Sequence, residues 1–326
     1  MKFRTDWEIP VSSLQIGYDT PVLALGSCFA DRMGSRLQAA RLPAAVNPGG
    51  ILFNPLSISY FLTLALTDTC PDYRYVAHTG QWASIHLHSR CSHPDRDAAI
   101  ALATTALRET AAALDQAQVL MLTWGTAFVW RDLATGAVAA NCHKLPAAGF
   151  RREMLTAEAL IADTRDLIQR LRDVYPGLRI LLTVSPVRHT RDTLPLNAVS
   201  KATLRLAAHR LCETEPDTYA YFPAWEILMD DLRDYRYYEA DMIHPSPVAE
   251  QYIWEKFVAA HLRPDAQALL DTWEDISRTL AHRPRQTDSP AHRQTLLRLL
   301  DRLQAVRHLI PCEAEIEVVE QWVAAV

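Results

Sequence analysis

Long apolar runs are missing from this 326-residue chain. No segment approaches the roughly 18 consecutive apolar residues of a membrane span. The opening "MKFRTDWEIPVSS" has no hydrophobic stretch of the kind that marks a secretory leader, so the expected location is the cytoplasm. Charge of one sign is also lacking: the net charge is −5 and the pI near 6.2. That balance gives no electrostatic ground for a nucleic-acid partner. Basic residues gather only locally, in "HRPRQ" and "AHRQTLLRLLDRLQAVRH", and are read as a solvated helix face. The six cysteines, at positions 28, 70, 91, 142, 212 and 312, form no C-x-x-C pair, which argues for reduced thiols and against a zinc site or a disulfide framework. His86, His88 and His93 near Cys91 fit no compact metal spacing, so no metal is expected. Internal repeats and low-complexity segments are absent, and glycine is sparse at ten residues.

The chain does contain short apolar runs alternating with helical periodicity. Expected strands are Val22–Gly26, Ala44–Asn47, Val119–Trp124, Arg179–Val184 and Thr218–Phe222. Several are apolar throughout, as strands covered on both faces are. Helices are expected near 30–41, 55–67, 94–116, 156–174 and 199–213; in the fourth, Leu160, Ile161, Leu167, Ile168 and Leu171 share a face. The alternation predicts an α/β fold with a parallel sheet, which binds ligands beyond the carboxyl ends of its strands. "GSCFA", "NPGGILFNP", "WGTAFVW", "SPVRH" and "DMIHP" would fall there. Residues 1–263 are read as this domain and 264–326 as a helical C-terminal extension. The extension holds two helices around a Pro-bearing break, and Leu296, Leu299, Leu300, Leu303 and Val306 form a stripe for packing or for a homodimer contact.

Two short stretches carry chemistry. Ser27 follows a strand and precedes a helix, where N–H groups at the helix start can stabilise negative charge, although a serine there is commonly an N-cap. Asp241 and His244 are spaced so that a turn brings carboxylate to imidazole, orienting the ring to take a hydroxyl proton.

The blocks "GSCFAD", "NPGGILFNPLSI", "WGTAFVW", "NCHKLP", "TVSPVRH", "YFPAWEILMDDLRDYRYY" and "DMIHPSPVAEQYIWEKF" resemble, in order from about residue 20 to 258, the GSCFA-domain family, itself similar to SGNH/GDSL hydrolases. The resemblance implies a three-layer α/β/α, flavodoxin-like sandwich and a serine esterase or O-acyltransferase, with Ser27 as nucleophile, His244 as base and Asp241 as its orienting acid. The substrate is expected to be an O-acyl ester of a small molecule or carbohydrate, acetyl among the candidates, handled without a cofactor. Cys28 is expected to point inward as a small apolar residue. By the same resemblance the oxyanion hole takes the N–H groups of Ser27 and Gly50. Gly49, where the family often has a bulkier residue, suggests a looser loop. The SGNH pattern G-x-N is replaced, Ala127 standing at the asparagine position, and Asn141 is the preferred substitute donor, with Thr126 and His143 as alternatives. "NCHK" reads equally as a hydrogen-bonded support for "WGTAFVW". Arg188 and His189 are further substrate-binding candidates, Arg188 alternatively pairing with an acid of "MDDLRDYRYYEAD". Trp124, Phe128, Trp130, Tyr235, Tyr237 and Tyr238 are read mainly as packing, one or two of them walling an acyl or sugar pocket. The departure at Ala127 keeps open a second class, a non-catalytic binding or scaffold protein that retains the fold.

Overall fold

Alternate residues of the strands Leu23, Leu25, Leu120 and Leu122 on one side, and Val22, Ala24, Val119 and Met121 on the other, enter two separate buried clusters. Side chains of a strand point alternately to opposite faces, so this sheet is covered twice. The computed structural model describes residues 7–68, 75–282 and 289–324. Five parallel strands form the sheet: β1 (Val22–Gly26), β2 (Ala44–Val46), β5 (Val119–Trp124), β9 (Arg179–Val184) and β10 (Tyr219–Phe222). Their spatial order is β10-β9-β5-β1-β2, the flavodoxin-like 2-1-3-4-5 arrangement when the sheet strands are counted along the chain. The order reverses between β1 and β5, which pair in register from Val22↔Val119 to Gly26↔Thr123.

Helices α1 (Cys28–Ala39) and α7 (Pro247–His261) cover one face, with Phe29, Met33 and Leu37 meeting Ile253, Trp254 and Phe257 over the sheet. The other face carries α2 (Pro55–Leu66), α3 (Arg96–Gln116), α4 (Ala157–Val174) and α5 (Leu194–Thr214). The result is a three-layer α/β/α sandwich. Sequence sets the helix starts: Asn54, Asp95, Thr156 and Ser246 each accept a hydrogen bond from a first-turn N–H, and Pro55 and Pro247 occupy first helical positions.

Five further strands escape the sequence reading. β3 (Tyr75–His78) and β4 (Gln81–Ser84) make a hairpin. β6 (Phe128–Asp132), β7 (Val138–Ala139) and β8 (Phe150–Met154) form a second antiparallel sheet, begun three residues after β5 ends. A single turn, α6 (Ala224–Glu226), follows β10.

The tail builds α8 (Pro264–Ala281), α9 (Pro290–Val306) and a third helix absent from the sequence reading, α10 (Glu313–Ala324). The leucine stripe of α9 is packed within the chain: Leu299, Leu303 and Val306 meet Trp273, Ile276, Ile310 and Val319 in a third core. Trp273 docks the extension on α1 by donating its indole N–H to the Ala39 carbonyl at 2.9 Å, with Arg41 lying 5.0 Å from the ring centre. Among the described residues, no helix is long and apolar enough to cross a membrane.

Candidate active site

The chain turns sharply after β1. Gly26 has φ 140°, and a Cβ there would collide with the Thr123 carbonyl, so only glycine fits. Its N–H donates to Asn47 Oδ1 at 2.8 Å, and Asn47 in turn donates its amide to Asp31 at 2.6 Å. The turn is therefore clamped from the end of β2.

Ser27 is the N-cap of α1 and only 1% exposed. Its hydroxyl accepts the Phe29 N–H at 3.3 Å, and its own N–H donates to Thr123 O at 3.1 Å. The expected Ser27–His244 hydrogen bond is not made. The adjacent residue meets the imidazole instead: Cys28 Sγ lies 3.8 Å from His244 Nε2. Cys28, expected to face inward, is half-buried and packs against the core under α1 and α7, while its sulfur also meets the imidazole. One step along the helix start rotates the side chain by about 100°, enough to exchange which neighbour faces the cleft.

His244 Nδ1 is 2.6 Å from Asp241 Oδ2. Asp241 Oδ1 also accepts the N–H groups of Ile243 and His244, at 2.8 and 3.0 Å. These bonds, led by the imidazole, pull the Asp241 carboxyl down to about 2. The D-x-x-H spacing thus forms the carboxylate–imidazole turn. Burial pushes the Cys28 thiol up; the Lys201 charge and the N–H groups of Phe29 and Cys28 oppose that shift, while Asp31 adds to it. The net shift is upward, so the resting group is the thiol.

The expected oxyanion donors are placed differently. The N–H of Ser27 is spent on Thr123, and that of Gly50 donates to Asn47 O at 2.8 Å. Asn141 accepts the His143 N–H on Oδ1 at 2.8 Å and lines a neighbouring cavity. Thr126 exchanges a hydrogen bond with Ser200 at 3.1 Å and accepts the Phe128 N–H. His143 Nε2 lies 2.8 and 3.1 Å from the Ser84 and Leu87 carbonyls, so "NCHK" is a hydrogen-bonded loop. Gly49 does not loosen its loop, because the Phe61 ring fills the space a side chain would need. Arg188 pairs with no acid among the described residues; it stacks on Tyr238, 4.1 Å from the ring centre, and on Tyr235 at 5.3 Å.

His189 has moved to the centre. Its Nε2 is buried without a hydrogen-bond partner among the described residues; a Cβ added at Gly125 would lie 3.3 Å from it and 3.4 Å from the Ser27 Cβ. Burial, then the charges of Lys201, Arg152 and His244, push its pKa down to about 3, so the ring is neutral. Lys201, missed from sequence, is fully buried and donates to the Gly125 and Ser185 carbonyls at 2.6 Å each. The signal was a lysine on the buried stripe of α5, one turn before Leu204. Glu239, Asp241 and His244 place ligand atoms within 4.8 Å of one another, but Asp241 and His244 already satisfy each other.

Asp241, His244 and Cys28 thus meet beyond the end of β1, where the strand order of the α/β/α sandwich reverses. The chain belongs to the GSCFA family, whose pattern matches residues 21–257. The C-terminal domain of GSCFA domain proteins matches residues 273–324, so the tail, which the sequence blocks had left outside the resemblance, is also part of this kinship. No curated protein matches the chain.

Proposed function

We propose that this chain is an acyl-transfer enzyme that cleaves an O-acyl ester through a thioester on Cys28. The observation carrying the reading is the row Asp241–His244–Cys28, with separations of 2.6 and 3.8 Å. His244 Nε2 takes the thiol proton as Sγ bonds to the acyl carbon, and the carbonyl electrons move onto oxygen. The resulting imidazolium is stabilised by the Asp241 carboxylate. When the C–O bond breaks, His244 returns the proton to the leaving alkoxide and the alcohol departs. Water or an acceptor alcohol then attacks the thioester, with His244 as base, and the thiol is regenerated.

The oxyanion needs donors that are not already spent. The Cys28 N–H, at the first position of α1, has no carbonyl partner among the described residues. A neutral His189 with its proton on Nε2 supplies the side-chain donor in place of the asparagine; the partnerless atom beside Gly125 supports that role. Hydrolysis and transfer share this chemistry and differ only in the second acceptor.

Incubation with 4-nitrophenyl acetate tests the reading. Nitrophenol release and an acetyl adduct on the Cys28 peptide are expected, both lost in Cys28→Ala and in His244→Ala and both kept in Ser27→Ala. Undiminished turnover in Cys28→Ala would overturn it, and loss in Ser27→Ala with retained folding would return the nucleophile to the hydroxyl.

A further inference from the structure

A cavity of about 580 Å³ opens beside the site, within the size range of small-molecule pockets. Its inner end is formed by Phe53, Thr126 and His189. The Phe53 carbonyl accepts the Gly125 N–H at 2.8 Å, and a Cβ added at Gly125 would lie 3.3 Å from His189 Nε2 and 3.4 Å from the Ser27 Cβ. Gly125 thus stands between the cavity wall and the turn that carries Cys28.

The charges around it are unequal. Lys144, Arg152 and Arg191 line it against one carboxylate, Asp192, among the described residues. That carboxylate is already ion-paired to Arg152. Arg191 is exposed and has no acidic partner among the described residues; its guanidinium lies 5.4 Å from the centre of the Trp130 ring. Arg152 approaches the same ring at 5.4 Å and Phe128 at 4.3 Å. Burial and then Arg191 lower the Arg152 pKa, so the two guanidinium groups repel each other across an aromatic wall. Lys144 is held at the rim by two consecutive left-handed residues, His143 at φ 46° and Lys144 at φ 60°, a strained backbone kept in place by the pinned His143 ring. Lys144 and Arg191, neither ion-paired among the described residues and set against a flat apolar wall, match a ring that carries a carboxylate or phosphate.

We infer that this cavity binds an anionic group, carboxylate or phosphate, on a ring-bearing substrate, with Arg191 as its principal contact. The inference rests on the acyl-transfer reading and names the substrate class of that site.

Cys142 lies in the cavity wall and supplies a reporter that takes no part in the proposed chemistry. The full chain is alkylated with iodoacetamide, a neutral reagent, and the rate at Cys142 is read by peptide mass spectrometry. Phenyl phosphate is expected to slow that rate about tenfold at saturation while phenol does not, and Arg191→Ala is expected to remove the protection. Benzoate in a parallel arm separates carboxylate from phosphate. Equal protection by phenol, protection by neither anion, an unreactive Cys142, or protection retained in Arg191→Ala would each overturn the assignment. Because the readout is Cys142, loss of turnover with intact protection would sink the acyl-transfer reading alone.

Discussion

His244 offers Nε2 to the Cys28 sulfur at 3.8 Å while Asp241 holds the opposite side of the ring. The carboxylate fixes both the tautomer and the orientation of the base. Asp241→Asn is expected to lower kcat by on the order of 10³-fold with little change in KM. Steady-state kinetics on an aryl acetate check this, and a loss under tenfold would mean that Asp241 does not orient the base.

Ser27 and Cys28 separate stability from chemistry. Replacing the N-cap hydroxyl in Ser27→Ala removes the acceptor for Phe29 N–H and is expected to cost about 1 kcal/mol. Thermal unfolding should show a lower Tm with turnover retained, whereas Cys28→Ala should show the reverse.

Lys201 gives the protein a stability that rises with alkaline pH. Burial lowers its pKa from 10.5 to about 7, whereas the unfolded chain keeps the ordinary value. Between pH 7 and about 10 the unfolded state therefore binds more protons, and stability increases with pH across that window. Denaturant midpoints measured at pH 7, 8 and 9 should climb in the wild type and flatten in Lys201→Met. The variant should also be weaker at pH 9, since the Gly125 and Ser185 carbonyls lose their donor.

Trp273 fastens the C-terminal helices to α1. Trp273→Ala deletes a buried indole and its bond to Ala39, an expected loss of about 3–5 kcal/mol. Limited proteolysis should then cut between α7 and α8 earlier than in the wild type. Unchanged cleavage would show that the extension is held by other contacts.

β1, β5 and β9 were legible because they are apolar along nearly their whole length, a consequence of burial on both faces. β6 and β8 were not: their residues are largely half-exposed, and "FVWRD" and "FRREM" mix aromatics with charges. The Asp241–His244 contact needs only a local turn, so spacing reveals it. The choice between Ser27 and Cys28 depends on how β1 hands over to α1, which the Thr123 carbonyl decides from a strand nearly 100 residues away. The hydrogen bonds around the expected oxyanion donors were hidden for a related reason. Asn47 and Thr123 take the backbone donors and Asn141 caps His143, all through contacts that motif spacing does not encode.

The thiol at position 28 and the ring it meets are 216 positions apart. During synthesis the sulfur leaves the ribosome long before the imidazole exists, and β1 waits for β5 to be made before it has both neighbours. A nascent chain therefore carries a cysteine without its imidazole. The contact forms only when the last quarter of the α/β layer has closed over the first.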